Sequence, residues 1–240
     1  MTRTRHFARG LLLLLAGCAA KPDPIPRYAT MEADASLAVL RQRAAALQNV
    51  RGEATLKLTD AKGQTVSLDA AFVLDPPGRC RLRAWKFGQA VFDLTLDGER
   101  AWAYLPRDEA KPAAPGLRQA VGRWLTLLGG GEHAFDGDAR TVGNTIVIRR
   151  TEPDTTTLEI IIDRPTLTPR TYRVRSDDNV ERFRLELSDY RVANDGQLWP
   201  MTIRAVSATG TVEVLSRDVE MNTDIDAGAF KPPARAEALP

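Results

Sequence analysis

The sequence predicts a mainly β fold with two helices: a curled antiparallel sheet of about eleven strands, an incomplete β-barrel capped by amphipathic helices. Three observations carry that expectation. Short apolar/polar alternations recur from Val50 almost to the C-terminus, separated by turn signals. Two stretches replace that period with apolar residues three and four apart. About 200 residues follow an apolar leader, enough for one domain with a sizeable core. A meander this long twists and curls, and its concave apolar face must be covered; the two helices are the available cover.

The leader comes first. Arg3, Arg5 and Arg9 precede the five leucines Leu11 to Leu15, and small residues follow. This is the layout of an export signal. Because a cysteine stands at the cut, Leu15-Ala16-Gly17-Cys18 resembles the lipobox of bacterial lipoproteins. That resemblance implies removal of residues 1–17, diacylglycerol on the Cys18 thiol and an acylated new amino terminus. The apolar run falls far short of the roughly 20 residues that span a bilayer, which argues against a transmembrane anchor. Residues 18–30 contain Pro22, Pro24 and Pro26 and read as the lipidated N-terminus with an extended spacer.

Removing the leader takes three arginines and no acid, leaving 30 basic against 31 acidic side chains. A nucleic-acid binder needs a basic surplus on its folded part, so the balance argues against that class. Cys80 is then the one cysteine besides Cys18, so no internal disulfide is expected and stability must come from packing.

The domain itself is expected over residues 31–233, with 234–240 as a tail. A first helix runs from about Glu32 to Gln48, with Leu37, Leu40, Ala44 and Leu47 on one side. From Val50 the period is two. Ala54, Leu56 and Leu58 alternate with polar residues, Asp60-Ala61-Lys62-Gly63 turns the chain, and Val66, Leu68, Ala70, Phe72 and Leu74 return. After Pro76-Pro77-Gly78 come Leu82 on a third strand, Phe92 and Leu94 on a fourth, and Trp102 and Tyr104 on a fifth. A loop from Pro106 to Gly116 leads into the second helix, Leu117 to Leu128, whose stripe holds Leu117, Val121, Trp124 and Leu125. Gly129-Gly130-Gly131 ends it. Six more strands begin near Thr145, Thr156, Arg170, Glu181, Leu198 and Thr211, with Leu158, Ile160, Phe183, Leu185 and Ile203 among the inward residues.

Three stretches resemble the LolA/LolB family of envelope lipoprotein carriers and acceptors. Asp97-Gly98-Glu99-Arg100-Ala101-Trp102-Ala103-Tyr104-Leu105-Pro106 is similar to a D-G-x-x-x-W-x-Y-x-P segment that precedes a helix. Asp195-Gly196-Gln197-Leu198-Trp199-Pro200 resembles the family's D-G turn and W-x-P strand start, and Asp226 to Pro233 its terminal D-x-x-x-F-x-P-P. The resemblance implies an incomplete barrel whose apolar trough receives acyl chains. The trough and lid residues would be Leu56, Leu68, Phe72, Leu82, Phe92, Leu94, Leu158, Ile160, Phe183, Leu185 and Ile203, with Leu117, Val121, Trp124 and Leu125 from the second helix. Two places depart from the family. LolA has a basic residue before the proline between its second and third strands, where this chain has Asp75-Pro76; LolB has an exposed leucine on a protruding hairpin, whereas the first hairpin tip here is hydrophilic.

Catalytic motifs are missing. His133 is the one histidine after the leader and belongs to no H-E-x-x-H pattern, so neither a metal nor another cofactor is expected. No serine lies in G-x-S-x-G, and Cys80 on a strand reads as a packing residue. Asp177-Asp178-Asn179 reads as a hairpin turn. Arg79, Arg81 and Arg83 share one strand face; they would meet lipid phosphates or an acidic partner, or, as the preferred reading, form a solvated row paired with Asp69 or Asp93. Together with these missing motifs, the resemblance implies a non-enzymatic function: a lipid-anchored protein of the cell envelope, facing the periplasm from the outer membrane. It would hold acyl chains of lipoproteins or other lipids, with envelope transport proteins as partners. The alternative is a structural or interaction lipoprotein of an envelope assembly.

Overall fold

The computed structural model describes residues 23–106, 131–152 and 155–239. An α-helix, α1 (Ala33–Ala46), precedes five strands, β1 (Val50–Asp60), β2 (Thr65–Asp75), β3 (Arg79–Lys86), β4 (Gln89–Asp97) and β5 (Arg100–Tyr104). After a 3-10 turn at Gly131–Phe135 come β6 (Asp138–Val142), β7 (Thr145–Thr151), β8 (Thr157–Asp163), β9 (Thr168–Arg175), β10 (Glu181–Val192), β11 (Leu198–Ser207), β12 (Gly210–Met221) and β13 (Glu237–Leu239). All thirteen form one sheet in the order β13-β5-β4-β3-β2-β1-β12-β11-β10-β9-β8-β7-β6. It consists of two antiparallel meanders joined where β1 pairs with β12, Val50 opposite Met221 and Leu56 opposite Val214.

The count corrects the expected eleven strands. β6 was missed because it is short and polar, with Asp138, Arg140 and Thr141 leaving no apolar alternation. β13 is three residues long, falls within the stretch expected as a tail, and pairs with Ala101 to Ala103 of β5. The described residues contain one α-helix; the second expected helix, Leu117 to Leu128, lies outside them, as does Cys18.

Helix α1 is placed by its stripe and its ends. Leu37 and Leu40 are buried, while Asp34 in the first turn and Arg43 in the last oppose the helix dipole favourably. Asn222, just past β12, closes the C-terminal end. Its amide donates to Ala46 O (3.1 Å) and to Asp195 Oδ2 (2.8 Å), and its Oδ1 accepts from Gln48 N (2.7 Å). Asn222 has φ +54°, a conformation that asparagine tolerates better than most residues. One side chain thus ties the helix to β12 and to the Asp195-Gly196 turn.

The convex face carries a ladder of cross-strand ion pairs. Glu159 of β8 accepts from Arg149 of β7 (2.6 and 2.8 Å) and from Arg173 of β9 (3.3 Å), and Glu186 of β10 accepts from Arg204 of β11 (2.9 Å). Farther along, Arg81 of β3 grips Asp93 of β4 in a two-point pair (2.7 and 2.9 Å). The preferred reading of the arginine row needs amending there. Arg81 is not solvated: its side chain is 15 % exposed, and it also donates to Ala229 O (3.1 Å) of the C-terminal segment crossing above it. Arg79 pairs with Asp75 and lies over the Phe230 ring, Arg83 reaches Asp93, and Asp69 belongs to Arg217 instead. The terminal motif therefore works as a strap, docking Ala229 and Phe230 on β3 before β13 covers the β5 edge.

Candidate functional site

Alternation and register bring the inward residues to one face. Ala103, Leu94, Leu82 and Phe72 stand side by side on β5, β4, β3 and β2; Val214, Ile203 and Leu187 continue on β12, β11 and β10; Leu185, Tyr172, Ile160 and Ile148 complete the row to β7. Leu56, Leu68, Phe92, Leu158 and Phe183 lie on the same face, all buried. The trough residues expected on the sheet are thus together. The lid residues Leu117, Val121, Trp124 and Leu125 lie outside the described residues.

The face is strongly curled. Phe72 on β2 stacks on Trp199 on β11, centroids 6.1 Å apart and planes 14° apart, although β1 and β12 separate the two strands. Gly52 on β1 makes room beneath: a Cβ there would stand 2.8 Å from Phe72 Cζ and 2.5 Å from Asp218 O.

Beside this stack, between α1 and the ends of β9 to β11, lies an apolar cavity of about 90 Å³. Leu40, Leu47, Leu167, Tyr190, Trp199 and Met221 line it. It is smaller than the roughly 300 Å³ at which pockets for whole ligands begin. Tyr190 donates to Pro169 O at 2.5 Å in its wall, and burial pushes its hydroxyl well above the ordinary tyrosine range. The sequence placed Trp199 in a motif and Leu40 on a helix stripe, yet only the fold shows that they meet. A second, polar cleft of about 310 Å³ adjoins the same end, between Gln48, Asp75, Arg79, Asp224 and Phe230.

The exposed apolar tip that the first hairpin lacks is found on another. Phe87, between β3 and β4, is 93 % exposed with φ +52°, followed by Gly88 at +74°. Such a turn favours Asn-Gly, so an aromatic there is costly to both backbone and solvation. Lys86 Nζ lies 5.6 Å from the ring centroid. Alternation could not reveal Phe87 because a turn residue belongs to neither face.

Reactive groups are few in this setting. Cys80 is fully buried, and burial pushes its thiol far above the ordinary value, away from nucleophilic use. Among the described residues no cluster of three or more His, Cys, Asp or Glu could hold a metal ion, and no helix is long and apolar enough to cross a membrane.

A single curled antiparallel sheet with one continuous apolar face is a LolA/LolB-like fold. Solved structures agree. The chain is similar to a DUF1329 family protein from Desulfovibrio piger (TM-score 0.61, 11 % identity, over 84 % of this chain and 98 % of that one). It is similar to a LolA superfamily protein from Nitrosomonas europaea (0.55, 9 %, 84 % and 98 %). It also resembles a domain from Vibrio parahaemolyticus assigned to outer-membrane lipoprotein sorting (0.52, 10 %, 82 % and 97 %). The sequence matches no protein-family model and no curated protein.

Proposed function

We propose that this chain is a membrane-anchored lipoprotein that binds acyl chains of lipoproteins or other envelope lipids in its apolar trough, without catalysis, in lipid or lipoprotein trafficking or outer-membrane biogenesis. The observation that carries the reading is the apolar face running unbroken from β5 to β7 of a LolA-like sheet. Burial of a chain contributes about 0.8 kcal/mol per methylene, so an apolar trough suffices for affinity and needs no polar constellation. The lipobox-like Leu15 to Cys18 supplies the anchor, and Ala19 after it favours the outer membrane under the enterobacterial sorting rule. Two of the similar structures carry names that point to the same trade, LolA and lipoprotein sorting.

Titration with a fluorescent fatty acid tests this reading, with wild type and Trp124→Ala compared. If Trp124 closes a trough, its removal should weaken probe binding more than it lowers the stability of the empty domain. The Phe72–Trp199 stack favours a second reading, because two large rings fill the middle of the curl. On that reading the sheet is solid and the protein is a structural or interaction lipoprotein. No probe binding by the wild type, together with a loss of about 3–5 kcal/mol in Trp124→Ala, would support it.

A further inference from the structure

The start of the folded chain and the Phe87 tip stand at opposite ends of the sheet. Turns of an antiparallel meander alternate between two ends. The β8–β9 turn, where Asp163 pairs with Thr168, shares its end with the β10–β11 turn and with the Val50–Met221 pair. The β3–β4 turn, where Lys86 pairs with Gln89, shares the other end with the β1–β2 and β11–β12 turns.

The N-terminal segment is fixed at the first of these. Tyr28 N donates to Pro165 O (2.8 Å), Arg164 donates twice to Met31 O (2.6 and 3.2 Å), and the Arg43 guanidinium lies 4.9 Å from the Tyr28 ring centroid. Tyr28 lies ten residue steps beyond Cys18, a reach of at most about 33–36 Å, or about 31 Å in the polyproline form that Pro22, Pro24 and Pro26 favour. The twelve-residue β12 is about 40 Å long. For the domain to stand on its Phe87 end on the bilayer that holds Cys18, the spacer would have to run fully extended back along nearly the whole sheet. The β8–β9 end meets the same bilayer with slack to spare. Exposed Arg27 flanks that exit with Arg164, while Arg170 is paired with Asp163 (2.7 Å), which also accepts from Thr166 (2.6 Å); the β10–β11 turn at the same end presents exposed Asp195.

We infer that the β8–β9 end of the domain lies against the bilayer that holds Cys18, and that Phe87 faces the aqueous side. The inference rests on the lipid-anchored reading above. It makes Phe87 a contact for what arrives from solution, not a wedge into the protein's own membrane.

Full-length lipidated protein in vesicles of phosphatidylethanolamine and phosphatidylglycerol tests it, with a fluorophore on Asn144→Cys at the β6–β7 turn or on Gln89→Cys beside Phe87, and nitroxide-bearing lipid as quencher. Buried Cys80 and acylated Cys18 stay unlabelled. Loss of most of the fluorescence at 144 with little change at 89 is expected. Equal or stronger quenching at 89 overturns the inference alone. Failure of the protein to float with the vesicles removes the anchored reading, and the inference with it.

Discussion

Phe72 and Trp199 stack across the concave face at 6.1 Å although three strand spacings, roughly 14 Å on a flat sheet, separate β2 from β11. The curl of the sheet and the reach of two large side chains bring them together, so their contact reports on that curl. In a double-mutant cycle of Phe72→Leu and Trp199→Leu, urea denaturation should give a coupling of about 0.5–1.5 kcal/mol. Additive losses would show that the two rings do not meet.

Glu159 supplies a pH-dependent share of stability. Burial alone would raise its pKa; the Arg149 hydrogen bond and the charges of Arg149, Arg173 and Arg175 outweigh that and hold it below the ordinary 4.5. A carboxylate with a lowered folded pKa stabilises fully above its unfolded value, and the contribution is lost as pH falls through the folded one. Glu159→Gln should therefore cost about 1–3 kcal/mol at neutral pH, with the gap to wild type narrowing below about pH 4. A gap that is constant from pH 7 to pH 3 would contradict this.

Cys18→Ser should abolish acylation, because only the thiol accepts the diacylglycerol, and should leave the leader uncut. Metabolic labelling with a fatty acid reads this directly. Equal label in mutant and wild type would remove the lipoprotein assignment.

Much of this architecture was legible because period-two alternation follows from the pleat. Leu56, Phe72, Leu82 and Leu185 fell on the buried face because one face of a curled sheet must leave water. What local pattern does not encode stayed hidden. The β1–β12 junction joins residues far apart in sequence, β6 and β13 carry too few apolar positions to register, and the burial of Arg81 depends on a strap that arrives 148 residues later. For the binding face the limit is different: a core-facing and a ligand-facing leucine obey the same period.

Native mass spectrometry of the domain beginning at Tyr28, prepared without detergent, tests the central claim most directly. The account predicts a population carrying bound lipid, released as fatty acid or phospholipid on activation and depleted in Trp124→Ala. A single apo mass, from a protein that also fails to take up a fluorescent fatty acid, would contradict the acyl-chain carrier and leave the solid structural module.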